Sequence, residues 1–240
     1  MILGIVGSPR KGRLTDQLVS RALEGAEAAG GETRKIYLVD YEVKFYREGV
    51  KCCPDELSDL CEQADAIILG APVYFGDING LTKDFMDTVR IRNANGKYAL
   101  GIAIAGGTGK GLCSGIQSLY HFFYHRQMRG IDPTPVSRFN FDVALESLYE
   151  SGRRLVDLSK EKKPFEDLWD RIEYYERLDY MNYTFLDEIL LLAEYLVKYS
   201  KSSKIPEAKK EYEKAKALIN QGKRIDAVKH AVKAYDLLYF

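Results

Sequence analysis

Apolar positions in the first two thirds of this chain fall into short solid runs separated by stretches of helical periodicity. Residues 2–6, 66–70 and 98–105 are nearly all apolar, which predicts strands buried on both faces. Residues 34–39 read as a further strand, and a less distinct one falls within 134–140. Between the strands, Leu14, Leu18, Val19, Ala22, Leu23 and Ala26 are spaced along one face of a helix over 14–29, which Gly30 and Gly31 stop. Further helices are predicted at 80–89, 112–125 and 144–158, with a short one ending near Ala64. Strand–helix alternation of this kind predicts an α/β fold, a doubly wound five-stranded parallel sheet in the order 2-1-3-4-5.

The pattern changes after residue 160. Residues 166–199 read as helical and are rich in tyrosine, and 200–206 form a polar linker. Two amphipathic helices follow. One presents Ala208, Tyr212, Ala215 and Ile219, the other Ile225, Val228, Ala231, Val232, Tyr235 and Leu238, with Gly222-Lys223 as the turn. The spacing of Gly222, Ala227 and Ala234 matches one tetratricopeptide unit. Such units stabilise one another by stacking, so a single copy is read as a plain helical hairpin. The expected organisation is an α/β domain over 1–160 and a helical extension over 161–240.

Composition narrows the function classes. The chain has 240 residues, 46% of them apolar, enough for a substantial core. Its 35 acidic and 35 basic residues cancel, so no basic excess points to nucleic acid. The apolar stretch 185–197 is broken by Asp187, Glu188 and Glu194 and is too short to span a bilayer. The first residues run straight into a strand with no signal-peptide pattern, so a soluble cytoplasmic protein is expected. Four cysteines are too few and too clustered for a disulfide scaffold.

Candidate chemistry concentrates after the strands. Gly7-Ser8-Pro9-Arg10-Lys11-Gly12-Arg13-Leu14-Thr15 joins the first strand to the first helix. Free N–H groups and the positive end of the helix dipole meet there and make an anion site. Ser8 and Thr15 add hydroxyls, and Arg10 adds a charge. Gly4, Gly7 and Gly12 lack the dinucleotide spacing, and the stretch 104–111 fails the Walker pattern at both ends, with Ile104 and Gly111 in the wrong places. A hydroxyl-rich loop without a metal-binding position suits the terminal phosphate of FMN. In the predicted strand order the crevice opens between strands one and three. There, Ala71-Pro72-Val73-Tyr74-Phe75-Gly76-Asp77 offers a flat apolar surface and an exposed N–H, which suits a planar ring. After strand four, Gly106, Gly107 and Thr108 expose backbone that can approach the ring's pyrimidine edge and stabilise anionic reduced flavin.

These residues carry a resemblance. Gly7-Ser8-Pro9-Arg10-Lys11 with Thr15, the block Gly70 through Gly76, the stretch Leu81-Thr82-Lys83-Asp84-Phe85-Met86-Asp87 and the pair Gly106-Gly107 resemble the NAD(P)H-dependent FMN reductase and iron–sulfur flavoprotein family. WrbA-type quinone reductases are more distant relatives. The resemblance spans roughly residues 1–160 and implies a flavodoxin-like fold. It implies FMN with its phosphate on the first loop (Ser8, Arg10, Lys11, Gly12, Leu14, Thr15) and its ring on the second (Pro72, Val73, Tyr74, Phe75, Gly76). It also implies oligomers whose FMN sites lie near subunit interfaces. One departure stands out. Iron–sulfur members carry a C-x-x-C-x-x-C pattern with a fourth cysteine between strand two and helix two. Here Cys52 and Cys53 are adjacent, Cys61 lies on a predicted helix and Cys113 is far along the chain, so no [4Fe–4S] cluster is expected.

The leading expectation is an FMN-dependent oxidoreductase passing electrons from NAD(P)H to a quinone, a flavin or another acceptor. The alternatives are a flavin electron carrier for a protein partner and a non-enzymatic interaction protein on a degraded scaffold. No catalytic residue is named, because the cofactor carries hydride chemistry. Tyr74 and Phe75 are either ring contacts or core residues, and Lys110 is read as a solvated charge. His121 and His125 sit one helical turn apart without a third ligand, so no metal site is expected. Tyr174, Tyr175, Tyr180, Tyr183, Tyr195 and Tyr199 suggest either a homo-oligomer contact or a helix packed over its own domain.

Overall fold

In the computed structural model, which describes residues 1–240, the first apolar run forms β1 (Ile2–Val6), every residue of it buried. There follow α1 (Leu14–Ala28), β2 (Thr33–Tyr37), α2 (Asp55–Gln63), β3 (Ala66–Tyr74), a two-residue β4 (Asp77–Ile78), α3 (Gly80–Thr88), β5 (Tyr98–Ala105) and α4 (Leu112–His125). β1 pairs in parallel with β2 on one side, from Ile2 opposite Thr33 to Val6 opposite Tyr37. On the other side it pairs with β3, from Ile2 opposite Ala66 to Val6 opposite Gly70. β3 pairs in turn with β5. This is the predicted order, and the fold is flavodoxin-like.

The edge beyond β5 is broken. In place of one strand within 134–140 there are two short pieces, β6 (Arg129–Gly130) against Tyr98–Ala99 and β7 (Val136–Ser137) against Ile104–Ala105. Pro133 and Pro135 lie between them. A proline offers no N–H to a ladder, so continuous pairing fails across that stretch.

Two apolar layers sandwich the sheet. α1 and α5 (Phe141–Glu161) pack on one face, where Leu18, Val19, Ala22, Leu148 and Leu155 meet Ile68 and Ile102. α2, α3 and α4 cover the other, with Leu57, Phe85 and Tyr120 in a single cluster. α5 runs beyond its predicted 144–158 at both ends.

The predicted 166–199 stretch is two helices, α6 (Leu168–Glu176) and α7 (Phe185–Tyr199), with a break between them. Its tyrosines turn inward. Tyr174 Oη donates to Gly130 O at 2.8 Å and Tyr175 Oη to Met128 O at 2.7 Å. α8 (Ile205–Asn220) starts inside the predicted linker, with Pro206 in its first turn where a missing N–H costs nothing, and α9 (Arg224–Tyr239) ends the chain. α8 and α9 form one helical hairpin whose Ala215, Ala227 and Ala231 pack on Leu190 of α7. Leu192, Ala193 and Leu196 of α7 and Ala234 and Tyr235 of α9 belong to the same core cluster as α2–α4. No helix is long and apolar enough to cross a membrane.

Candidate functional site

The first loop is locked before it reaches α1. Gly7 N–H donates to Gly70 O at 2.7 Å, and Gly7 O accepts from Asn79 Nδ2 at 2.9 Å. A Cβ on Gly7 would sit 2.0 Å from Thr82 Oγ1 and 2.8 Å from Gly70 O, so only glycine fits. Ser8 is buried, and its Oγ accepts from Arg10 N at 3.1 Å, which folds the turn. No side chain caps α1, and the N–H groups of Leu14, Thr15 and Asp16 donate to no protein group. These are the orphan donors of a helix N-terminus, aimed at the loop. Asp16 braces the turn from beneath, accepting from Gly12 N at 2.7 Å and Lys35 Nζ at 2.9 Å. Burial pushes its carboxyl pKa up, but the Gly12 N–H and Lys35 outweigh that and hold it below the usual value.

The second loop is a tight hairpin. Tyr74 pairs with Asp77 across a two-residue turn of Phe75 and Gly76, whose φ values are +51° and +89°. Positive φ at both central positions suits the twist of a hairpin but strains a residue with a side chain. The Phe75 ring is fully exposed at its tip.

Past β5, the third loop presents the N–H groups of Gly106, Gly107 and Thr108, none of which donates to a protein group. Gly111 has φ +89°, and a Cβ there would lie 2.6 Å from Gly76 Cα, so the second and third loops are in backbone contact.

The three loops enclose a cleft of about 920 Å³ at the C-terminal ends of the parallel strands. Among the residues expected at the site, Ser8, Arg10, Gly12, Leu14, Thr15, Pro72, Val73, Tyr74, Phe75, Gly76, Gly106, Gly107 and Thr108 line it. Lys11 does not; its ammonium lies 2.6 Å from Asp40 and 4.8 Å over the Tyr37 ring. Lys110, read as a solvated charge, lines the cleft, and its Nζ lies 5.3 Å over the Tyr235 ring. Arg13 and Gln17 also reach the cleft.

A family model described as NADPH-dependent FMN reductase matches residues 1–137. The chain belongs to this family. That places it among flavin-dependent oxidoreductases and electron carriers. An iron–sulfur flavoprotein of Methanocaldococcus jannaschii is 30% identical over 190 residues, covering 66% of this chain and 97% of the relative. Another, from Methanosarcina thermophila, is 27% identical over 181 residues, with coverages of 65% and 94%. Among solved structures, an NADH:FMN oxidoreductase in its apo form superposes with TM-score 0.53 at 21% identity, over 71% of this chain and 92% of that one. An NAD(P)H:quinone oxidoreductase from Methanothermobacter marburgensis gives TM-score 0.51 at 15% identity, over 64% and 98%. At such identities the likeness is one of fold.

The names of the relatives raise the question of a cluster, and the cysteines of this FMN reductase-family chain lack the C-x-x-C-x-x-C spacing expected of iron–sulfur members. Cys52, Cys53, Cys61 and Cys113 are all buried. Cys52 Sγ lies 3.3 Å from Val50 O within its own turn, and Cys113 stands in the first turn of α4. Burial disfavours the thiolate forms of Cys61 and Cys113 in the metal-free chain. No three His, Cys, Asp or Glu side chains gather as a metal-holding group.

Supporting residues escaped the sequence reading. Asn79 and Thr82 hold Gly7 from the start of α3, with Thr82 Oγ1 donating to Asn79 Oδ1 at 2.7 Å. Glu188 and Tyr235 reach the third loop from the C-terminal helices. Asn79 immediately before a helix reads in the sequence as an N-cap, but its side chain makes no cap bond and turns to Gly7 O instead.

Proposed function

We propose that this chain is an FMN-dependent oxidoreductase that passes electrons from NAD(P)H to a quinone, a second flavin or another acceptor. The observation that carries the reading is the convergence of three loops, each with unpartnered N–H groups or an apolar wall, on one cleft at the switch point of the sheet. The donor set fits FMN. Unpartnered N–H groups at the start of α1, the Ser8 and Thr15 hydroxyls and the Arg10 guanidinium suit a phosphate dianion. Pro72, Val73 and Tyr74 offer an apolar wall for a planar ring. The N–H groups of Gly106–Thr108 are donors for the ring's polar edge, where they would favour the negative charge that reduction brings. Bound FMN supplies the hydride and electron chemistry; the protein binds, orients and tunes.

Mass spectrometry of heat-released cofactor, followed by anaerobic mixing with NADH and with NADPH, tests this. FMN as the main species and bleaching within a catalytic timescale are expected. FAD, or no flavin in a protein that also fails to bind added FMN, refutes it.

A second reading, a flavin electron carrier for a protein partner, is favoured by one observation. Phe75 projects fully exposed from the cleft rim, where a docking protein would cover it. A flavin that resists NAD(P)H but is reduced by a protein donor would select that reading.

A further inference from the structure

We infer that the C-terminal helices act in cis as a brace for the third loop, with Glu188 and Tyr235 as positioning residues for the flavin site; this rests on the FMN reading above. Glu188 is an acid on α7 that is almost wholly buried. Its Oε1 accepts from Gly111 N at 2.9 Å and its Oε2 from Cys113 N at 2.8 Å. One carboxylate thus occupies the N-terminus of α4, where no residue of the local chain provides a side-chain cap. Burying an acid requires such partners, and the positive end of the helix dipole rewards its charge.

A second contact comes from a different helix. Tyr235 Oη on α9 donates to Thr108 O at 2.8 Å, which fixes the peptide plane between Thr108 and Gly109. Between these contacts the loop backbone is pressed by α7, since a Cβ on Gly109 would lie 2.7 Å from Leu192 Cδ2. α7 and α9 are themselves joined at a third point, where Arg224 Nη2 donates to Asp187 Oδ2 at 2.8 Å and to Thr184 Oγ1 at 3.0 Å. The loop is therefore held at Thr108, Gly109, Gly111 and Cys113 by residues far outside the family-matched span. Its remaining groups, the N–H donors of Gly106, Gly107 and Thr108, have no protein partner, and these residues line the cleft. A glycine-rich loop left to itself samples many conformations, and ordering it on binding would cost affinity. The brace removes that cost in advance. It also closes the α4 N-terminus to any second phosphate, leaving α1 as the anion-binding helix of the cleft.

The test uses the full-length chain stripped of flavin, with two variants that reach the loop from different helices. E188Q keeps the shape but presents an amide NH2 to one of the two N–H donors; Y235F removes a single oxygen. Amide hydrogen exchange over 106–113 is expected to rise in both, with exchange over 8–15 unchanged as the internal control. FMN affinity should fall roughly tenfold in each, the size expected for one displaced buried polar contact. In Y235F, which changes no charge, the flavin midpoint potential should also fall as donors to the reduced ring lose their alignment. Unchanged exchange over 106–113 in both variants overturns the brace. Raised exchange with unchanged FMN affinity and potential overturns the positioning role and leaves only a structural one. A wild-type chain that binds no FMN refutes the flavin reading instead, and the exchange measurement still decides whether the brace exists.

Discussion

Replacing Asn79 with alanine should destabilise the protein by about 2 kcal/mol and loosen the first loop. The side chain is 3% exposed and works in both directions: its Nδ2 donates to Gly7 O at 2.9 Å, and its Oδ1 accepts from Thr82 Oγ1 at 2.7 Å. Each bond has a net worth of about 1 kcal/mol, and a buried group left without a partner costs about 1–3 kcal/mol. One repair is available. The Thr82 hydroxyl lies 3.3 Å from Gly7 O and can turn to it, so the carbonyl is not abandoned outright. That repair places the expected cost near the sum of two bonds, about 2 kcal/mol, and not at the larger figure for two orphaned groups. No helix-capping loss adds to it, because Asn79 makes no side-chain cap bond to α3. Urea unfolding of the flavin-free chain, followed by far-UV circular dichroism, reads the change as a fall in midpoint of roughly 1 M with an unaltered slope. Thr82→Val, which leaves the Asn79–Gly7 bond intact, should cost about half as much. An Asn79→Ala shift below about 0.5 kcal/mol, the range of an inert surface substitution, would refute the argument that this network holds the loop.

Asp16 has its pKa held below the ordinary carboxylate value, so it adds stability that is present above the unfolded pKa of about 4 and lost as pH falls through the folded one. Asp16→Asn should flatten the acid limb of a stability–pH curve; an unchanged limb would contradict that assignment. Phe75 carries a φ of +51° with no buried side chain to justify it, so Phe75→Asn should raise thermal stability slightly, and a fall would show that the ring makes packing contacts. Leu168, Trp169 and Ile172 make an exposed apolar face on α6, the expected seat of self-association. Light scattering should show an oligomer that Trp169→Glu disperses, and a monomeric wild type at micromolar concentration defeats the expectation.

The sheet was legible because its central strands are buried on both faces. A run such as Tyr98 to Ala105 has no other economical explanation than a strand covered by helices, and both bounds of β5 follow from it. The edge was not legible for the complementary reason. Residues 129–137 pair on one side only, their apolar signal is weak, and two prolines divide them. The break between α6 and α7 falls where Asp179 to Thr184 offer polar residues to end and restart a helix, with Thr184 and Asp187 forming a capping box. That signature was present in the sequence but lay inside a stretch whose tyrosines drew attention to an interface.

The site divides along the same line between local and distant causes. Ser8, Arg10, Thr15, Tyr74 and Gly106 could be placed because strand ends deliver their loops to one edge of a parallel sheet, whatever else the chain does. Lys11 is adjacent to Arg10 yet points elsewhere, and only the tertiary neighbour Asp40 decides that. Glu188 is the sharper case. In the sequence it is one of the acids that interrupt an apolar helix, and its partner lies 77 positions away. The useful signal was the interruption itself, because an acid on the buried face of an amphipathic helix must meet donors somewhere. The donors in shortest supply of acceptors are those of an uncapped helix N-terminus, and the cap position of α4 is Gly111, which has no side chain with which to cap the helix. The two deficits answer each other, and the place where they meet is the end of the third loop, whose residues line the cleft. On this argument the residues beyond 160 belong to the site as much as to the scaffold. The helices that the sequence pattern set aside as an extension hold the backbone of the third loop, whose residues line the cleft.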